Sequence, residues 1–182
     1  MGLPTVTDTI SITDSHRNQA INNADISQTD TDRNRSTADR KRHARIGQLG
    51  EIVVQEAIKQ TDGLTYSTST DQKIDGYINN NAVEIKARKT WDYQNPDLLV
   101  RKNFDLAADF YLQVDLFTSG NNSANSDLSN VTKAEIAGVV TKSEVDKYGE
   151  PFMKDKKEKK NDTVIVPRSK LTDFHQFRAQ IC

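Results

Sequence analysis

An α/β fold is what this sequence predicts, and three patterns predict it. Arg40–Gln60 carries Ile46, Leu49, Val53 and Ala57 at helical spacing, an arc widened by Ile52, Val54 and Ile58. Ala82–Arg88 alternates in period two, with Val83, Ile85 and Ala87 on one side and Glu84, Lys86 and Arg88 on the other. Downstream, Asp109–Phe117, Ala134–Val140 and Thr163–Pro167 are apolar runs of strand length.

In chain order, residues 1–38 are rich in Thr, Asp, Asn, Ser and Gln without a sustained apolar period, and are expected to form a flexible N-terminal arm. Composition shifts at Thr37–Asp39, where Thr37 or Asp39 can cap a helix, so residues 39–182 are expected to form the folded domain. Gly47 and Gly50 fall within one turn of that helix, and glycine costs helical stability. Close approach of another backbone is the expected reason. Asp62-Gly63 ends the helix. Leu64–Thr68, Ile74–Ile78 and Ala82–Arg88 are then predicted strands, with Asn79–Asn81 as a hairpin turn because Asn tolerates positive φ. Ser119–Asn130 is a polar insertion, Lys142–Tyr148 a short helix, Lys154–Lys160 a charged loop, and Leu171–Arg178 a closing helix. No internal repeat is visible.

Bulk properties exclude several classes. At 182 residues a single domain is the default, and 35% hydrophobic content supports a core. The net charge of −1 gives no global signal for nucleic acid, but residues 1–39 hold six Asp and three Arg, which leaves the remainder slightly basic. Cys182 is the only cysteine, so no intrachain disulfide or zinc-finger spacing exists. No apolar run approaches spanning length, and the N-terminus lacks a secretory pattern. A soluble, cytoplasmic protein without a membrane partner is the expectation. His16, His43 and His175 have no paired spacing, which argues against a histidine-based ββα-metal nuclease.

The most specific chemistry lies in Glu51, Asp75, Glu84 and Lys86. Phosphodiester cleavage needs a cation that polarises the phosphate and a positioned water. Magnesium takes one or two carboxylates and keeps positions for water and phosphate oxygen. A hairpin turning at Asn79–Asn81 brings Asp75 towards Glu84, and Lys86 shares the face of Glu84, where its ammonium can orient water. Glu51 approaches from the helix. Each residue alone has a bland reading: a solvated Glu-x-Lys face, an Asp-Gly turn, an ordinary helical Glu. Their order and element types together favour a site.

GQLGE (47–51), IDGYI (74–78) and VEIKAR (83–88) resemble the PD-(D/E)XK nuclease superfamily. DFYLQVDLF (109–117), EIAGVVTKSEVDKYG (135–149) and VIVPRSKL (164–171) look like the later elements of its small phage-type and repair-type members. The resemblance covers about residues 40–178. It implies a restriction-endonuclease-like core, a central mixed β-sheet flanked by helices. It also implies Asp75, Glu84, the backbone carbonyl of Ile85 and Glu51 as ligands for Mg²⁺ or Mn²⁺, with Lys86 as the catalytic cation. Ile74 stands where the family name expects proline, a residue that takes no part in the chemistry.

Arg42, Arg45, Arg88, Lys89, Arg101 and Lys102 are the expected phosphate contacts. Trp91 and Tyr93 can stack on a base or pack in the core. The expected activity is a Mg²⁺-dependent deoxyribonuclease, most simply an endonuclease, with DNA as partner and a homodimer as an option. The alternatives are a noncatalytic nucleic-acid-binding or assembly protein of the same fold, and a partner-binding protein whose arm folds on contact.

Overall fold

The computed structural model describes residues 9–24, 36–71, 73–90, 96–101, 107–119, 128–154 and 158–182. Among the described residues, nine strands and four α-helices follow one another: β1 (Thr9–Ser11), α1 (Asp14–Asn23), α2 (Thr37–Lys59), β2 (Tyr66–Thr68), β3 (Gly76–Ile78), β4 (Asn81–Thr90) and β5 (Leu98–Arg101). Then come β6 (Phe110–Thr118), β7 (Val131–Thr141), α3 (Lys142–Tyr148), β8 (Glu150–Lys154), β9 (Glu158–Val166) and α4 (Phe174–Ile181). The α/β class holds: a mixed sheet of order β1-β7-β6-β4-β3-β2 is flanked by helices, with a second sheet of order β5-β9-β8. Within the large sheet only β4 and β6 run parallel, from Val83 opposite Phe110 to Thr90 opposite Phe117.

The centre of the large sheet is covered on both faces, which explains why β6 is buried from Tyr111 to Phe117. One face packs Ile85, Leu112 and Val114 against Leu49, Val53 and Val54 of α2 and Phe174 and Phe177 of α4. The other carries Tyr111 and Val140 against Leu98, Val100, Val164 and Val166 of the small sheet. Local signals set the boundaries. Ser36 caps α2 by accepting from the Asp39 amide, so the cap is one residue before the predicted Thr37. Thr141 and Glu144 form a capping box on α3, which spans the predicted residues. Asn79 and Asn80 adopt φ of 46° and 67°, the left-handed pair that the predicted turn requires.

Gly50 has the expected close neighbour. A Cβ built there would overlap the Ala87 Cβ of β4, so the helix lies directly on the strand. Gly47 does not: nothing stands within 4 Å of its added Cβ.

Several expectations need correction. The flexible arm of residues 1–38 does not hold for Thr9–Asn23. There β1 adds to the edge strand β7, with Ile10 opposite Ala134, and α1 packs on α2. Ile10, Ile12 and Ala20 are buried, and Arg17 donates to the Val131 carbonyl at 2.9 Å. A three-residue strand with one buried side chain is too short to show a period, and α1 is almost wholly polar. Lys154–Lys160 is not simply a loop: Lys154 ends β8 and pairs with Glu158 of β9, leaving residues 155–157 outside the described set. The closing helix begins at Phe174 rather than Leu171, capped by Asp173. Within the polar insertion, Leu128–Asn130 forms a 3₁₀ turn with Leu128 buried; residues 120–127 lie outside the described residues. Strands β5 and β8 were not anticipated.

Candidate active site

Four of the predicted residues meet where α2 crosses the β3–β4 hairpin. The Gly50–Ala87 approach sets the next residue, Glu51, against this end of the sheet, with its Oε1 accepting from Gln48 Nε2 at 2.8 Å. Asp75 precedes β3. Gly76 stands opposite Val83, so Asp75 lies beside β4 at Val83–Ile85. Its amide donates to the Val83 carbonyl at 3.0 Å, and its carboxylate Oδ2 accepts from the Ile85 amide at 2.5 Å. The Asp75 carbonyl is held by the Ser69 amide at 3.3 Å and the Tyr66 hydroxyl at 3.2 Å. Gly76 makes that closure possible, because a Cβ there would overlap the Tyr66 ring end and the Ser67 carbonyl. The Asp-Gly pair is therefore a side chain fixed in place and a point of close strand approach, not a turn.

Glu84 and Lys86 share one face of β4, and the Lys86 ammonium pairs with the Glu84 carboxylate. Asp75 links the four: its carboxylate acts on Glu51 of α2, and Lys86 and Glu84 of β4 act on it. Burial first, and then the Asp75 carboxylate, push the Glu51 carboxyl up to about 8. Burial likewise raises Asp75 to about 6, opposed by the Ile85 amide and the Lys86 ammonium and reinforced by Glu84. Tyr66 is raised as well, by burial and by the same two carboxylates Glu51 and Asp75. Burial, more than repulsion, is what disfavours the charged forms of Glu51, Asp75 and Tyr66 here.

A cleft of about 300 Å³ adjoins Lys86. Its lining comes from His43 and Ile46 of α2, Lys86 to Lys89 of β4, the start of β5, and Gln113 of β6. Of the predicted phosphate contacts, Arg88 and Lys89 lie here; Arg88 donates to the Asp97 carbonyl at 3.0 Å and Lys89 to Asn130 Oδ1 at 3.2 Å. Arg42 and Arg45 are on the N-terminal half of α2, Arg42 paired with Asp39 at 3.3 Å. Arg101 ends β5, opposite Thr163 in the small sheet. Lys102, Trp91 and Tyr93 lie outside the described residues. The Ile85 amide is committed to Asp75. Among the described residues, no group of three or more His, Cys, Asp or Glu side chains is gathered as a metal cage.

Three further residues support this region without having been singled out. Gln48 anchors Glu51 from one helical turn earlier, a spacing that was readable. Tyr66 braces Asp75 from β2, with no signal in the sequence. Gln113 interrupts the apolar run of β6, and a polar residue inside a buried strand was the available clue. No family model, curated protein or solved structure matches the chain. Among the described residues no helix is long and apolar enough to cross a membrane.

Proposed function

We propose that this chain is a metal-dependent nuclease of restriction-endonuclease-like fold, hydrolysing DNA phosphodiester bonds as an endonuclease. The supporting observation is the seating of Asp75 against β4: its carboxylate is fixed by the Ile85 amide beside Glu84 and Lys86, with Glu51 of α2 close enough to repel it. Glu51 and Asp75 are two half-compensated carboxylates in a partly buried corner, a donor set suited to Mg²⁺ or Mn²⁺, which take few protein ligands and keep waters. A bound cation there would supply Lewis acidity to a phosphate oxygen. Glu51 and Asp75 would hold it, with Glu84 and the Ile85 carbonyl as the further donors in reach of β4. Lys86 would leave Glu84 to orient water and balance the charge that develops on the phosphate. Arg88 and Lys89, on the same strand, would position the backbone.

A noncatalytic nucleic-acid-binding or assembly role is the second reading. It is favoured by the Glu84–Lys86 ion pair and by the lack of a three-donor cluster among the described residues. Purified protein incubated with supercoiled plasmid, linear duplex and single-stranded DNA, in Mg²⁺ or EDTA, separates the two. Metal-dependent cleavage that disappears in Lys86→Ala, with Mn²⁺ binding lost in Asp75→Ala, is the expected result. No cleavage of any substrate by folded protein would overturn the nuclease reading.

A further inference from the structure

Gly47 sits near the middle of α2, where glycine weakens a helix relative to alanine, and the fold gives no reason for it. Gly50 offsets the same weakness by letting Ala87 approach, but nothing lies within 4 Å of a Cβ added at Gly47. A helical glycine without a close neighbour in the protein leaves room for a neighbour from outside it.

The helix fixes the direction of that room. Gly50 points at β4, because its added Cβ meets Ala87. At about 100° per residue, Gly47 is turned about 60° from Gly50 and Glu51 about 100°, both in the same sense. His43, Gly47 and Glu51 therefore form one row about 12 Å long on the face of α2 that turns towards β3. The row begins at the cleft, which His43 lines together with Lys86 and Arg88, and it ends at Glu51, on which the Asp75 carboxylate acts.

Beside this row β4 has an open edge. Strand β3 pairs with β4 only as far as Val83, and the Asp75 carboxylate then takes the Ile85 amide. The preceding residue, Ile74, turns into the core beneath the small sheet. Among the described residues no strand continues beyond it, so from Lys86 to Thr90 β4 is paired only with β6. Ala82 bonds Asp109 on the β6 side, whereas Val83 and Ile85 bond Asp75 on the other. By that alternation the Ala87 peptide group also faces the open side. An unpaired strand edge and an uncovered helical glycine thus flank one path, from the cationic cleft to the carboxylate corner.

A ligand for such a path is a chain whose backbone can pass close to a helix and which carries anionic groups at intervals. One group would meet Lys86 and Arg88 at the cleft, and another a cation held by Glu51 and Asp75. A nucleic-acid strand has both properties. An extended peptide would suit the strand edge but brings no repeated anionic charge. We propose that the strand to be cut lies along this path with its sugar–phosphate backbone against α2 at Gly47, a glycine that serves the substrate rather than the fold. This rests on the nuclease reading of the same site and adds the route by which DNA reaches it.

The test is a size series, Gly47→Ala and Gly47→Leu. It is read by urea melts, by Mn²⁺ titration, and by fluorescence anisotropy with labelled duplex and single-stranded DNA in Ca²⁺. Gly47→Ala should be more stable than the parent, with unchanged Mn²⁺ affinity, yet bind DNA about tenfold more weakly. Gly47→Leu should bind more weakly still. Loss of fold cannot imitate a stabilised protein that binds less well, so Gly47→Ala decides the matter even if Gly47→Leu does not fold. Unchanged DNA affinity in Gly47→Ala would overturn the proposal, as would a parent that binds neither DNA. An equal loss of Mn²⁺ affinity would overturn it too, because the new side chain would then be displacing Glu51. Adding Mg²⁺ separates this from the nuclease reading. Cleavage unaffected by either substitution would leave the nuclease standing and remove the route. Size-dependent loss of DNA binding in a protein that never cleaves would keep the route and remove the nuclease.

Discussion

Two glycines three residues apart in α2 should respond to alanine with opposite signs. A glycine inside a helix costs roughly 0.5–1 kcal/mol relative to alanine, so relief of that cost is the baseline for both sites. At Gly47 nothing lies within 4 Å of the added Cβ, and Gly47→Ala should stabilise by about that amount. At Gly50 the new Cβ would overlap the Ala87 Cβ at well under 3.0 Å and lie 3.6 Å from both Ala87 Cα and Ile85 Cγ2. The obstructing atom is fixed to a strand backbone rather than at a flexible tip, so the upper part of the overpacking range applies, about 2–3 kcal/mol. After the helix gain, Gly50→Ala should be about 1–2 kcal/mol less stable, a fall in Tm of several degrees. Ala87→Gly removes the obstruction at a cost of about 1 kcal/mol for a glycine in a strand. The double variant should therefore lie well above the sum of the two losses, with a coupling of about 1–2 kcal/mol. Urea melts followed by far-ultraviolet circular dichroism give all four values. Gly50→Ala stabilising like Gly47→Ala, or strict additivity with Ala87→Gly, would refute the close packing of α2 on β4 that sets Glu51 in place.

The electrostatics give two further tests. Glu51 and Asp75 have carboxyls raised to about 8 and about 6, so the folded state binds their protons more tightly than the unfolded chain does. Their contribution is present at low pH and is lost as pH rises from about 4 through 6 and then 8. Glu51→Gln should therefore be more stable than the parent near pH 8, by roughly 2–4 kcal/mol, and about equal to it near pH 4. Melts across that range giving a constant difference would contradict a Glu51 carboxyl raised first by burial and then by Asp75. At the other end of β6, Asp115 is 1% exposed and accepts from the Arg168 guanidinium at 2.5 Å, with Glu135 a further 3.5 Å partner. Arg168→Met should cost about 3–5 kcal/mol by leaving Asp115 charged in the interior. Adding Asp115→Asn should recover most of it, and a denaturation series without that recovery would show that the charge is not the cause.

How far the sequence revealed this arrangement follows from what leaves a local trace. Helix α2 was legible because Ile46 to Ile58 repeat one apolar arc, and β4 because seven residues alternate without interruption. The Asn79–Asn80 turn was legible because its backbone demands positive φ. Strand β1 was not, since three residues with only Ile10 buried carry no period, and its place is fixed by β7, more than a hundred positions later. Strand β5 was missed because Leu98 and Val100 acquire an inward face only when β9 pairs with them. The same distinction applies to the site. Glu84 and Lys86 are local to one strand, whereas the seating of Asp75 depends on the Tyr66 hydroxyl from a neighbouring strand.

Strand β6 shows why the polar interruptions of a buried run carry more information than the run itself. Leu112, Val114 and Leu116 face the helices, while Tyr111, Gln113 and Asp115 alternate with them, and all are buried. A strand covered on both faces gains nothing from a carboxylate or an amide unless each finds a partner. Asp115 finds Arg168, which reaches it from the turn after β9 and whose own amide donates to Asp97 at the rim of the cleft. Gln113 spends its amide nitrogen on Pro96 and Asp115, and its buried oxygen has no donor among the described residues. The charge pair that ties the small sheet to the large one thus also fixes the orientation of Gln113. Its neighbour in the ladder is Lys86. Stability and the candidate site are joined through one hydrogen-bonded rung, so loosening Arg168 should disturb the cleft as well as the fold.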